Sequence, residues 1–209
     1  MFEVNALEFG FDRPLVTGLS FSVPKGQIRL LHGASGCGKS TLLALIAGTE
    51  IANVSWAGDI KLDDVDIGTL PAHRRQIGLI YQDALLFPHL TVGENLAFGL
   101  VPSIRGKARH AAVQEALAAA NLDGFGQRDP ASLSGGQAAR IALMRALLAA
   151  PKALLMDEAF SSLDPELRRQ FGNFVADQIR LRQIPGLLVS HDVADREFAT
   201  DPVLQFPQM

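Results

Sequence analysis

The segment Gly33–Ser40 has the residue types and spacing of a phosphate-binding loop, G-x-x-x-x-G-K-[ST]. It lies between an apolar run and a predicted helix that opens near Lys39, which is the context such a loop requires. Its glycines allow backbone N–H groups to turn inward around an anion, and the helix N-terminus adds partial positive charge. We therefore predict a nucleotide site in which Lys39 reaches the β- and γ-phosphates and the Ser40 hydroxyl binds Mg²⁺. The residues predicted to surround the phosphates are Gly33, Ala34, Ser35, Gly36, Cys37, Gly38, Lys39, Ser40 and Thr41.

A glycine-rich turn that only caps a helix is the alternative interpretation of this loop. That alternative explains the glycines but not Lys39 and Ser40 in register, so we favour nucleotide binding. Cys37 inside the loop is either a redox-active thiol or a small side chain that fits a crowded turn, and we favour the second. Because it is the single cysteine, it cannot form an intrachain disulfide, and we expect a reducing compartment.

Two adjacent carboxylates, Asp157 and Glu158, follow the apolar run Ala153–Met156. Ligands of parallel sheets bind at the carboxyl edge of the strands, so the pair is predicted to face the nucleotide. Since adjacent strand residues point opposite ways, we assign Asp157 to the Mg²⁺ shell and Glu158 to the water that attacks the γ-phosphate. Exposed acids in a turn are the alternative. His191 ends another predicted strand, Gly186–Ser190, at the same edge; on its own it is more typical of a capping histidine.

A second glycine-rich segment, Leu133–Gln137, precedes the helical stretch Ala138–Ala150. Ser134, Gly135 and Gly136 are expected to offer exposed N–H groups at a helix N-terminus, which attracts anions. The segment has no lysine, so we predict that it completes a phosphate site built mostly elsewhere. A serine cap followed by flexible glycines is the alternative.

Short apolar runs alternate with helical segments, which predicts an α/β protein with a largely parallel sheet. The pattern between residues 91 and 150 is helical, with breaks at Pro102, Gly106 and Gly124–Pro130, and indicates an inserted helical subdomain. Asp164 followed by Pro165 is typical of a helix start. The predicted strands are Leu19–Val23, Gln27–His32, Ile77–Tyr81, Ala153–Met156 and Gly186–Ser190. One apolar helical face is formed by Val113, Ala116, Leu117 and Ala120.

The composition excludes several classes of protein. With 209 residues, 48% hydrophobic and 20% charged, the chain is long and apolar enough to fold as a compact domain. A net charge of −3 and a pI near 5.9 argue against nucleic-acid binding. The run Leu42–Ala47 has six apolar residues, far fewer than the ~18 needed to cross a bilayer. No signal peptide is evident, so we expect a cytosolic start. The basic pair Arg74-Arg75 is interpreted as a solvated approach to a strand.

Together these motifs resemble the ATP-binding subunit of ABC transporters over essentially the whole chain. Their order is more specific than any one of them. The matching positions are Gly33–Ser40 for Walker A, Gln82 for the Q-loop, Leu133–Gln137 for the LSGGQ signature, Asp157 and Glu158 for Walker B and its catalytic glutamate, Ser162–Asp164 for the D-loop, and His191 for the switch histidine. Phe11, 22 residues before Gly33, matches the aromatic that stacks on adenine, with Phe9 as a second candidate.

The resemblance implies a single ABC-type ATPase domain with a P-loop NTPase core and a mostly parallel sheet. Residues 1–82 and 151–209 would form that core, including an N-terminal antiparallel β portion, and about 83–150 the helical subdomain. It implies an Mg²⁺-dependent ATPase with ATP and Mg²⁺ bound. Catalytic roles are implied for Glu158, His191, Gln82 and Lys39. Metal binding is implied for Ser40, Gln82 and Asp157, and nucleotide contact for Phe11, Ser134, Gly135, Gly136 and Gln137 in addition to the phosphate loop.

The family also implies partners. Two copies would pair head to tail, so that the signature of one closes over the ATP held by the other. The dimer would bind integral membrane permease subunits, and through them indirectly a substrate-binding protein, from the cytoplasmic face of the membrane. Residues 82–96 resemble importers of polyamines, thiamine, iron or sugars, which favours import of a small solute. The alternative is an ABC-type ATPase with a mechanical or regulatory role and no transport.

This sequence departs from the family pattern at a few positions. Ala159 stands where proline usually follows the glutamate, and Ala138 follows the signature where a basic or polar residue is common. Neither change removes a chemical group from the expected reaction. Only 18 residues follow His191, so we expect a short form without the C-terminal regulatory domain of sugar importers, similar to thiamine-type and uncharacterised relatives.

Overall fold

The chain builds two β-sheets, with helices packed on the larger one. The computed structural model describes residues 1–206, which contain nine strands and five α-helices. The strands are β1 (Phe2–Gly10), β2 (Pro14–Val23), β3 (Ile28–His32), β4 (Ser55–Leu62), β5 (Val65–Asp66), β6 (Ile77–Ile80), β7 (Ala153–Asp157), β8 (Gly186–Ser190) and β9 (Leu204–Gln205). The helices are α1 (Lys39–Ala47), α2 (Val92–Gly99), α3 (Gly106–Ala119), α4 (Gly135–Leu148) and α5 (Pro165–Arg182). None of these helices combines the length and apolar character needed to span a membrane.

The larger sheet has the strand order β6-β7-β8-β3-β9, and every neighbouring pair is parallel. Strand β7 is buried on both faces. Leu154 and Met156 pack into the core beneath the helices, while Ala153 and Leu155 pack into a second core on the other side. Continuous apolar strands are expected where both faces of a parallel sheet are covered. The predicted parallel α/β sheet is therefore confirmed, and its strands end at one common edge.

The smaller sheet has the order β2-β1-β4-β5 and is antiparallel, as the family resemblance implied. Its inner side chains share a core with α1 and one face of the parallel sheet. The pairing of β1 with β4 shifts register between Asn5 and Glu8, at a bulge. Gly58 opposes this bulge with φ +116°, and a Cβ there would lie 2.7 Å from the Ala6 carbonyl oxygen, so the position requires glycine.

The helical stretch predicted between residues 91 and 150 forms three separate helices, α2, α3 and α4. The breaks fall near the predicted proline and glycine positions. The predicted apolar face of α3 lies in the core with Val113, Ala116, Leu117 and Ala120 all buried. Asp164 accepts hydrogen bonds from the N–H groups of Glu166 and Leu167 at 3.1 and 3.0 Å, so it caps α5 as expected. The domain boundaries at 82 and 151 remain predictions.

The interpretation of Arg74-Arg75 as solvated is wrong for Arg75. Its guanidinium is buried and donates to four carbonyl oxygens: Leu45 at 2.7 Å, Ile46 at 3.0 Å, Gly68 at 2.7 Å and Leu70 at 2.7 Å. Two of these carbonyls belong to the last turn of α1, where helical carbonyls lack partners within the helix. Arg75 therefore joins the end of α1 to the following loop. Sequence spacing gives no sign of the contact with α1, because the Leu45 and Ile46 carbonyls lie 30 and 29 positions away in the chain.

Candidate active site

The phosphate loop connects β3 to α1 and curls around the side chain of Lys39. The Lys39 ammonium is buried and donates to the carbonyl oxygens of Gly33 at 2.9 Å and Ala34 at 2.6 Å. The curl depends on glycine: Gly36 and Gly38 have φ of +77° and +104°. The ammonium thus lies within the loop, and because Lys39 also lines the adjoining cleft, its positive charge would attract an anion bound there. Cys37 is half-buried with Sγ 4.0 Å from the Lys39 Nζ, which fits the interpretation of a small side chain in a crowded turn.

A cleft of about 590 Å³ opens beside this loop at the carboxyl edge of the parallel sheet. Phosphate-loop residues form one wall, and residues that follow β6 and β7 form the others. Most of the residues predicted for catalysis and metal binding therefore meet in one place, as expected for ligand sites of parallel sheets. The cleft is lined by Ser35, Gly36, Gly38, Lys39, Ser40, Thr41, Tyr81, Gln82, Asp83, Leu85, Asp157 and Glu158.

The two adjacent carboxylates face the same cleft, and the expectation that they point opposite ways is wrong. Strand β7 ends at Asp157, and Glu158 has a left-handed backbone with φ +49°. This conformation is unusual for a residue other than glycine, and it interrupts the alternation of a strand. Both carboxylates are consequently available to one bound ligand. Strained backbone of this kind is often found at functional sites.

Asp157 is half-buried at the base of the cleft. Burial raises the pKa of Asp157, and the neighbouring Glu158 carboxylate adds to that shift, while a hydrogen bond with Ser40 and the charge of Lys39 oppose it. A cation bound here would remove the cost of keeping this carboxylate charged. Asp157 and Ser40 are neighbours in the cleft lining.

The donor set in the cleft fits Mg²⁺ held together with phosphate oxygens. Ser40, Gln82 and Asp157 all line the cleft, and each supplies oxygen, the ligand atom that Mg²⁺ prefers. Within residues 1–206, no group of three or more His, Cys, Asp or Glu side chains is placed to hold a metal by itself. This arrangement is typical of Mg²⁺ sites in which a few side chains bind the ion together with waters and substrate phosphates.

His191 lies directly after β8 and contacts Glu158. Its Nδ1 lies 3.0 Å from the Glu158 carboxylate Oε1. Because a carboxylate only accepts, this hydrogen bond places a proton on Nδ1. The backbone of His191 makes a second contact, which the sequence did not predict. His32 Nε2 lies 3.1 Å from the His191 carbonyl oxygen and donates to it. This contact arises because β3 pairs with β8 and His32 lies opposite Ser190. Local sequence does not predict such pairing between distant strands.

The signature segment lies outside the cleft and caps α4. Ser134 Oγ accepts from the Gln137 N–H at 3.4 Å, and the Gln137 side chain accepts from the Ser134 N–H at 3.0 Å, forming a reciprocal capping box. In a single copy of the chain, Ser134 therefore acts as a helix cap, which is the alternative interpretation of this segment. Gly136 is buried, and the expectation that it is exposed is wrong, because it packs against Leu167. Ser134 and Gly135 remain exposed at the helix N-terminus.

The predicted adenine-stacking residue is not among the residues that line the cleft. Phe11 is exposed at the turn between β1 and β2, in a separate surface groove with Trp56. Phe9 is buried, and its ring lies 3.6 Å from where a Cβ on Gly38 would be, beside the phosphate loop. Phe9 therefore flanks the loop from the smaller sheet, and stacking of Phe11 on adenine stays a prediction.

Comparison with known proteins identifies the family. The sequence pattern of the ABC transporter family matches residues 16–161. The uncharacterized ABC transporter ATP-binding protein YnjD of Escherichia coli K12 is 48% identical over 181 residues, covering 87% of this chain and 83% of that protein. The Fe(3+) ions import ATP-binding protein FbpC 3 of Rhodococcus jostii RHA1 is 42% identical over 91% of this chain, which spans 55% of that protein.

The fold comparison agrees with the sequence comparison. A solved structure of cbiO1 from Clostridium perfringens, part of the ABC transporter complex cbiONQ, superimposes with a TM-score of 0.84 at 24% identity. The match covers 98% of this chain and 84% of that one. It shows the same fold, while the sequence matches show the family. The chain therefore belongs to the ABC transporter family, as an ATP-binding subunit that acts as an ATPase.

Proposed function

We propose that this subunit hydrolyses Mg-ATP in the cleft to power import of a small solute through membrane partner subunits. The observation that supports it best is the convergence of Lys39, Asp157 and Glu158 on one cleft, with His191 hydrogen-bonded to Glu158. Import is favoured because a relative that matches most of this chain is named an import ATP-binding protein.

In this proposal each cleft residue has a separate task. Lys39 and the loop N–H groups bind the β- and γ-phosphates, and Ser40, Gln82 and Asp157 hold Mg²⁺. When bound there, the metal would supply positive charge that offsets the charge developing on the phosphate oxygens. Glu158 orients the attacking water and accepts its proton as the bond from phosphorus to the ADP oxygen breaks. His191, which is not among the residues lining the cleft, holds the Glu158 carboxylate through its Nδ1.

A second copy of the chain completes the site. Ser134 and Gly135 are exposed at a helix N-terminus and are not among the residues that line the cleft. Backbone N–H groups at such a terminus attract phosphate oxygens. A head-to-tail dimer would bring the signature segment of each copy onto the nucleotide bound by the other. Two ATP molecules would then stabilise the dimer, and hydrolysis would loosen it.

The membrane partner is proposed to bind an apolar groove beside the cleft. This groove of about 410 Å³ runs between β6, α2 and α4. Phe98 and Leu85 in it are 65% and 57% exposed, which is unusual for such large apolar side chains. Tyr81 and Leu85 line both the groove and the cleft. A partner bound in the groove would therefore contact residues on either side of Gln82. The chain would thereby associate peripherally with the membrane, with a substrate-binding protein acting through the permease.

Co-purification from native membranes tests the transport role. The tagged chain is recovered from gently solubilised membranes of its own cells, and partners in near-stoichiometric amount are identified. We expect a multi-span membrane protein, with a substrate-binding protein encoded beside it. Phe98→Arg should lose that partner, whereas Leu181→Arg, a change at a 75% exposed leucine on α5, should keep it. Recovery of only soluble partners would contradict import and favour a mechanical or regulatory ATPase.

A further inference from the structure

A charged cluster lies behind the cleft, and none of its members has a part in the proposed function. Arg168 on α5 donates through Nη1 to the Asp192 carboxylate, and the same nitrogen lies 3.7 Å from Asp195 Oδ1. The side chain of Arg168 is 17% exposed, and that of Asp195 is 1% exposed. One guanidinium therefore serves two carboxylates that belong to the segment after β8.

Asp195 is a buried carboxylate, and its charged form would destabilise the fold if Arg168 were absent. Within the part of the chain that the structure describes, neither of its carboxylate oxygens has a hydrogen-bond partner of normal geometry. Burial raises the pKa of Asp195, and the neighbouring Ser190 hydroxyl and Arg168 oppose that shift. A buried carboxylate with so few partners depends on a nearby cation. Arg168 is the cation placed to serve it, which ties the segment after β8 to α5.

The first end of the cluster is rigidly connected to His191. Asp192 follows His191 in the chain, and its N–H donates to the Ser190 Oγ at 2.9 Å. The Asp192 carboxylate also accepts from the Ala194 N–H at 2.9 Å. These short-range bonds leave the segment little freedom, so a displacement of the Asp192 carboxylate displaces the His191 backbone with it. His191 in turn holds Glu158 through its Nδ1, at 3.0 Å.

The second end of the cluster is the turn between β7 and α5. The Arg168 Nε donates to the Phe160 carbonyl oxygen at 3.3 Å, and its backbone N–H donates to the Asp164 carbonyl oxygen at 2.8 Å. Arg168 therefore contacts both ends of this turn. Inside the turn, the Ser162 Oγ donates to the Gln82 carbonyl oxygen at 3.4 Å. The turn lies next to Gly135, whose Cβ position is 3.9 Å from Leu163.

We propose that Arg168 is a positioning residue that holds His191 against the turn preceding α5. The assignment rests on the proposed function, because it gives His191 a part in ATP hydrolysis. In residues 1–206, the hydrogen bonds and ion pairs of Arg168 go to Phe160, Asp164, Asp192 and Asp195, which do not line the cleft. Arg168 therefore acts through Asp192 on the placement of the imidazole. A change in the Phe160–Asp164 turn, such as contact with a second copy, is transmitted along this path to the histidine.

Steady-state hydrolysis of Mg-ATP by the purified full chain tests the assignment in a double-mutant cycle. Arg168→Ala should lower kcat about 10- to 100-fold, the scale of a misplaced catalytic group, with KM within about twofold of the wild type. His191→Ala lowers kcat by itself, and Arg168→Ala/His191→Ala should be no slower than His191→Ala, because Arg168 acts only through that side chain. The matched control is Arg169→Ala. Arg169 is the next residue on α5, pairs with Glu166 on the same helix, and should keep wild-type turnover.

Multiplied losses in the double variant, or wild-type turnover of Arg168→Ala, would overturn the assignment. Asp192→Asn gives a second cycle if Arg168→Ala folds poorly, because asparagine still caps the segment while the ion pair is lost. It too should add nothing to His191→Ala, and a multiplied loss would again overturn the assignment. A wild-type chain that binds ATP but never releases phosphate would overturn the proposed function. Normal wild-type hydrolysis combined with either of the results above would overturn only the assignment of Arg168, so the two failures are distinguishable.

Discussion

His191 and Glu158 come from different strands and meet through one hydrogen bond, with the histidine Nδ1 3.0 Å from the glutamate Oε1. The contact arises because β7 and β8 are parallel neighbours that end at the same edge, where Asp157 pairs with Val189. The left-handed backbone of Glu158 then turns its carboxylate toward the histidine and the cleft. The imidazole donor holds the Glu158 carboxylate in one orientation, which suits its proposed role as the base that activates water.

Replacing Lys39 should weaken ATP binding. In the proposed site its ammonium would make charge-assisted contacts with phosphate, each worth about 1.5–3 kcal/mol, so Lys39→Ala should reduce affinity by about 10- to 100-fold or more. Equilibrium titration with a fluorescent ATP analogue measures the change. The control is Lys152→Ala, since Lys152 is exposed and outside the cleft. Equal affinity of Lys39→Ala and the wild type for ATP would contradict the role of Lys39 and its loop in nucleotide binding.

Replacing Arg75 should destabilise the fold without touching the cleft. Arg75→Met leaves four carbonyl oxygens without their donors, two of them at the end of α1. We expect a loss of about 2–4 kcal/mol in the free energy of unfolding. Urea denaturation of Arg75→Met and of the exposed neighbour Arg74→Met measures it, and Arg74→Met should stay within about 0.5 kcal/mol of the wild type. Similar stabilities for both variants would contradict the capping role.

Asp195 should make stability depend on pH in a definite direction. Burial raises the pKa of Asp195 in the folded chain above its ordinary value. The folded state therefore binds the proton more tightly, and this group lowers stability as pH rises from about 4 through the folded pKa. Asp195→Asn removes that effect. Its stability minus that of the wild type should increase across this pH window and then become constant, as measured by urea denaturation from pH 4 to 8. A constant or decreasing difference would contradict the direction of the shift.

Much of the site could be predicted because its determinants are local in sequence. The phosphate loop needs glycines at fixed spacing, and Gly36 and Gly38 indeed take positive φ. Apolar runs such as Ala153–Met156 predict buried strands, and parallel strands bring their ends together. The meeting of His191 with Glu158 follows from that rule once the parallel sheet is inferred.

The features that the sequence did not predict depend on distant contacts or on a single unusual dihedral. Alternation along β7 predicted opposite directions for the two carboxylates, but the φ of +49° at Glu158 overrides it. Gly136 was expected to be exposed, yet packing against Leu167 on another helix buries it. Arg75 and Arg168 look like surface charges until the carbonyls and carboxylates they serve are brought to them by tertiary packing.

The most direct test of the account is phosphate release by Glu158→Gln. The substitution keeps the size of the side chain but removes the carboxylate that we propose orients water and accepts its proton. We expect turnover to fall about 100-fold or more, with ATP affinity within about threefold of the wild type, measured by phosphate release and nucleotide titration on one preparation. The matched control Glu166→Gln, at an exposed glutamate in the first turn of α5, should turn over normally. Undiminished hydrolysis by Glu158→Gln would contradict the assignment of the base and the proposed mechanism.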